Sequence, residues 1–95
     1  MKSAYEIAKE GGRHKGLYER NKNVRSPEIE KSIRSLFQQI KIHEEKIVSP
    51  LDFVRSGIPG AEISYLVESY WPKEILKFKE SISVLQGVLR ERERK

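Results

Sequence analysis

Two stretches of this chain repeat one spacing of apolar side chains, and that repeat narrows the fold more than any other feature. In SPEIEKSIRSLFQQIKIHEEKIV, Ile29, Ile33, Leu36, Ile40, His43 and Ile47 follow at intervals of 4, 3, 4, 3 and 4. In WPKEILKFKESISVLQGVLRERERK, Ile75, Phe78, Ile82, Leu85 and Leu89 follow at 3, 4, 3 and 4. Residues three and four apart share one helix face, so each stretch offers an apolar seam to a partner helix. Phe37 widens the first seam. No segment shows the period-two alternation of a strand. The spacing predicts a small all-α domain built on an antiparallel two-helix hairpin with short flanking helices.

Local signals set the ends. Ser26 suits a helix N-cap, Pro27 the first helical position and Glu28 the positive end of the helix dipole. Pro50 stops that helix near Val48 or Ser49, giving a helix over 26–49. Pro72 and Glu74 open the second helix, over 72–92. Gly87 weakens it by up to ~1 kcal/mol relative to Ala, and either marks a close helix approach or carries no meaning. The link, 50–71, has a turn at SGIPG and a short helix in AEISYLVESY that offers Ile63, Leu66, Val67 and Tyr70. In the basic N-terminal segment, 1–25, SAYEIAKE reads as one or two helical turns with Tyr5 and Ile7 or Ala8 inward. LYERN reads as a further turn. The tail RERERK has no apolar member and is expected to fray or extend into solvent. Together these form a single domain over 1–95.

With no cysteine among 95 residues, disulfides, zinc-thiolate sites and thiol nucleophiles are excluded. No apolar run is long enough to span a membrane, and MKSAYEIAKE lacks the apolar core of a secretory signal. The net charge of +5 is uneven: residues 1–25 carry seven Lys/Arg against three Glu. Such an excess attracts phosphate backbones, acidic membranes or an acidic protein, and charge alone does not choose among them.

GGRHKG sits within that basic segment. Gly11 and Gly16 enclose four residues as in a phosphate-binding P-loop, but Leu17 and Tyr18 follow where Lys and Ser/Thr belong, and no strand leads in. What remains is a loop over Gly11, Gly12 and Gly16 presenting Arg13, His14 and Lys15, with Tyr18 close behind. Arg and Lys bind phosphate oxygens, and a histidine there can move a proton. His43 is the second anomaly, because it fills a seam position where Leu or Ile is expected. If the loop folds over the end of that helix, His14 and His43 form the acid–base pair that metal-independent RNA cleavage needs, with Arg13, Lys15 and Lys46 holding phosphate and Tyr18 positioning substrate. The residues alone favour a plainer account: a glycine C-cap followed by an exposed basic turn, and a hydrogen-bonded core histidine. Trp71, with Tyr65 and Tyr70, either stacks on bases or anchors the short helix, and the anchor is the commoner role. No metal-ligand spacing occurs, and no cofactor is implied.

GGRHKGLYERN, then EIEKSIRSLFQQIKIHEEKI followed shortly by SP, then YWPKEILKFKESISVLQGVL resembles a small C-terminal domain of bacterial polymorphic toxins, of the rearrangement-hotspot and contact-dependent-inhibition type. The resemblance runs from Gly11 to about Leu89. It rests on a GG-K/R-H-x-G loop, an I-x-x-H-x-x-K-I helix and a late W-P helix. It implies an antibacterial effector domain, secreted as part of a larger protein and active in the target-cell cytoplasm. The implied activity is ribonuclease action on tRNA or other RNA, and the implied partner is a cognate acidic immunity protein. Carried over by position, the polar residues are Gly12, Arg13, His14, His43, Lys46 and Trp71. The resemblance moves both histidines toward the functional reading. The alternative is a non-enzymatic basic helical module that binds nucleic acid or an acidic protein.

Overall fold

Pro72 shapes the longest helical run of the molecule. The computed structural model describes residues 1–93, which are helical wherever they are regular and include no strand. Proline has no N–H, and its ring excludes the carbonyl four residues back, here that of Glu68. The backbone widens to π-helical winding over Leu66–Tyr70, joining α4 (Gly60–Tyr65) directly to α5 (Trp71–Glu93). Pro72 therefore changes the winding inside one run from Gly60 to Glu93, where the sequence predicted a helix start. The other elements are α1 (Ala4–Lys9), α2 (Lys15–Asn21), α3 (Ser26–Val48) and a 3-10 turn at Pro50–Asp52. Ser3 and Glu6 form a capping box at the start of α1.

α3 and α5 run in opposite directions: Ser26 meets Arg92, His43 meets Phe78, and Lys46 meets Trp71. Ser26 is not a side-chain cap. Arg25 takes the cap position, and the Ser26 hydroxyl accepts from Arg92 Nη1 at 2.8 Å. The same guanidinium donates to the carbonyls of Asn21, Lys22 and Val24, tying down the α2–α3 connection. Glu91 and Arg92 are thus half-buried and fixed, contrary to the fraying expected of RERERK; positions 94 and 95 of that tail lie outside the described residues.

α5 is buried on more than its predicted seam. Ala8, Tyr18, Ile29, Val84, Leu85 and Val88 form the core, and Val84 and Val88 lie outside the 75–89 spacing. The extra burial comes from α1 and α2, which pack on a second side of α5, with α1 meeting it at Gly87. Gly87 makes this possible: a Cβ there would overlap the Tyr5 ring. Of the α1 alternatives, Ala8 is buried and Ile7 lies at the surface.

The molecule measures 54 × 26 × 20 Å, a rod with its core at the α1–α2 end. Apolar side chains at the other end are poorly covered: Val48 is 81% and Leu51 73% exposed. Phe37, at 53% exposed, does not widen the seam, and Tyr70 also faces outward. Among the described residues no helix is long and apolar enough to cross a membrane.

Gly87→Ala tests the close approach. Helix propensity favours Ala by up to ~1 kcal/mol, yet the displaced Tyr5 ring is expected to leave a net destabilisation of about 1–3 kcal/mol in urea unfolding. Gly60→Ala, where a Cβ meets open space, is expected to shift stability by less than about 1 kcal/mol.

Candidate functional site

The glycine segment is a helix stop. Gly11 adopts φ +97°, and its N–H donates to Ala8 O at 3.1 Å while the Gly12 N–H donates to Ile7 O at 2.9 Å. These are the paired bonds of a Schellman motif, which ends α1 by satisfying its last carbonyls. A Cβ on Gly12 would fall 2.8 Å from Ile7 Cγ2, so close packing as well as conformation favours glycine there. The turn is short. Lys15 already begins α2, and Gly16 lies inside it rather than in a loop.

His14 sits at φ +69°, unusual for a residue with a Cβ. Its side chain reaches Glu80 of α5: Nε2 is 3.0 Å from Glu80 Oε1, and Arg13 Nε donates to the same oxygen at 3.1 Å. The carboxylate only accepts, so Nε2 carries the proton of that bond. The hydrogen bond from His14, reinforced by Arg13 against the opposing effect of burial, holds the Glu80 carboxyl below its ordinary value of 4.5. The turn is therefore pinned to α5, with Arg13 neutralised. Lys15 remains exposed.

His43 lies elsewhere. It is buried, its Nδ1 donates to Gln39 O at 2.8 Å, and its ring meets Phe78 edge-on at 5.2 Å. Phe78 and Glu80 are two residues apart, about 200° around the helix. His14 and His43 thus approach α5 from nearly opposite sides, and the structure does not bring them together. Lys46 Nζ lies 5.8 Å from the centroid of the Trp71 ring, which is itself buried. That pair anchors the start of α5 on α3, and the indole face is closed to a nucleobase.

Tyr18, expected behind the loop, is instead half of a cluster that sequence reasoning missed. Glu91 Oε1 accepts from Tyr5 Oη, from Tyr18 Oη at 3.0 Å and from Lys9 Nζ at 2.9 Å. Burial by itself pushes the Glu91 carboxyl up, but the three donors outweigh it and hold the group below its ordinary value. The bond to Glu91 is the main reason that Lys9 is pushed up to about 12. Burial raises both phenols. The Arg90 guanidinium lies 5.9 Å from the Tyr5 ring centroid. These side chains line a cleft of about 720 Å³ between α1 and the end of α5. A signal for it was present: Glu80, Val84, Gly87 and Glu91 repeat 4, 3, 4 as a second face of α5, half polar and so outside an apolar count.

No family model, curated protein or solved structure matches the chain.

The Glu80 pin makes a pH prediction. A carboxyl held low when folded stabilises the protein above its unfolded value, and that contribution is lost as pH falls through the folded value. Wild type is expected to exceed Glu80→Gln in stability by about 1 kcal/mol at neutral pH. The gap should close below pH 4.5, read by urea titration at a series of pH values.

Proposed function

We propose that this chain is a small basic helical domain of the polymorphic-toxin type that binds an acidic protein. Paired-histidine cleavage of RNA is the reading it displaces. The observation that sets paired-histidine cleavage aside is the separation of the two imidazoles, each engaged by its own neighbours on a different side of α5. General acid–base cleavage needs both groups within hydrogen-bond reach of one phosphodiester.

Two further features support a protein partner over a nucleic acid. Of the seven cations in residues 1–25, Lys2, Lys9, Arg13 and Lys22 are held by carboxylates of the chain itself. Within that segment a phosphate backbone would meet mainly Lys15, Arg20 and Arg25. The net charge of +5 still draws an acidic protein, and the exposed Val48, Leu51 and Phe53 supply apolar surface of the kind protein partners cover. A cognate immunity protein of opposite charge fits this description.

The direct test incubates the purified protein with total RNA and tRNA in EDTA, beside His14→Ala and His43→Ala. The expected result is intact RNA in every sample, with weak, salt-sensitive RNA binding. His43→Ala should lower stability by about 1–3 kcal/mol through loss of core packing on Phe78. A small acidic protein, where the neighbouring gene encodes one, is expected to bind wild type and folded His14→Ala equally in calorimetry. Cleavage in EDTA that disappears in His14→Ala would restore the ribonuclease reading.

A further inference from the structure

The cleft at the α1–α5 end holds one cation that the fold leaves uncommitted. Lys9 and Glu91 face each other at 2.9 Å, and their charges offset. Glu6 is turned to the start of its own helix, where it accepts from the Ser3 N–H at 3.1 Å. Both phenol hydroxyls donate to Glu91. Arg90 has no carboxylate partner among the described residues. Its guanidinium lies over the Tyr5 ring, and the residue is exposed. Around it the cleft offers two more donors: Lys9 and the Ser3 hydroxyl. The volume of about 720 Å³ falls in the range of small-ligand sites.

We propose that this cleft binds a phosphate group, with Arg90 gripping two of its oxygens and Lys9, its charge already offset by Glu91, donating a further hydrogen bond. An Arg fork matches paired phosphate oxygens, and charge-assisted bonds of this kind are about twice as strong as neutral ones. The Tyr5–Tyr18–Glu91 network positions the site by fixing Lys9 on one side and the Tyr5 ring beneath Arg90. The site is independent of the protein-partner reading, because it lies at the end of the rod opposite Val48 and Leu51.

The test titrates isotope-labelled protein with inorganic phosphate, with adenosine 5′-monophosphate and with a dinucleotide carrying one internal phosphodiester, all in chloride buffer. Saturable amide shifts at Lys9, Gly87 and Arg90 are expected. Monoester binding without dinucleotide binding identifies a small phosphorylated molecule as the ligand; equal or tighter dinucleotide binding identifies a nucleic-acid backbone. Arg90→Ala should weaken the interaction about tenfold, Arg90→Lys less, and Arg34→Ala, out on α3, not at all. Arg90 is exposed, so its variants should keep the wild-type amide spectrum. Absence of a saturable shift with all three ligands, or the same affinity in Arg90→Ala as in wild type, overturns the proposal.

Discussion

Everything in this molecule is organised by α5 being packed from two sides at once. A helix in a two-helix pair needs one apolar stripe; α5 carries two, centred on Phe78 and Leu85 toward α3 and on Val84 and Gly87 toward α1. The second contact depends on the missing side chain at Gly87, which lets the Tyr5 ring lie against the helix backbone. With Tyr5 seated there, its hydroxyl meets Glu91, and Tyr18 and Lys9 complete the group around the same oxygen. A close approach of ring and backbone thus brings the two short helices α1 and α2 into register on one carboxylate of α5.

Arg92 does the complementary work on the connection. One guanidinium satisfies the carbonyls of Asn21, Lys22 and Val24 and the hydroxyl of Ser26. Those groups end α2 and begin α3, where helix termini leave backbone atoms without intrahelical partners. The last turns of α5 therefore act as a clasp. Glu91 holds the N-terminal helices and Arg92 holds the turn that follows them, although both lie in a run of charges with no apolar residue.

The same geometry keeps the two histidines apart. A residue on α5 two positions from another faces almost the opposite way, so Glu80 and Phe78 divide His14 from His43. The glycine turn that would have carried chemistry is a helix stop whose cation and imidazole are both bound to Glu80. The polar side chains that do converge come from Tyr5, Lys9, Tyr18 and the end of α5, a set scattered over 86 positions of sequence.

The helical class, the two long seams and the C-cap account of Gly11 were legible in the sequence, because periodicity, proline and glycine act over a few residues. His43 as a hydrogen-bonded core residue was legible for the same reason: its partner, Gln39, is one turn away. What the chain alone left open was everything that depends on which surfaces meet. Whether Gly87 mattered, where RERERK would go, and which polar groups share a cleft are decided by the docking of α1 and α2 onto α5. That docking joins residues far apart in sequence through a half-polar face, and hydrophobic spacing carries no record of it.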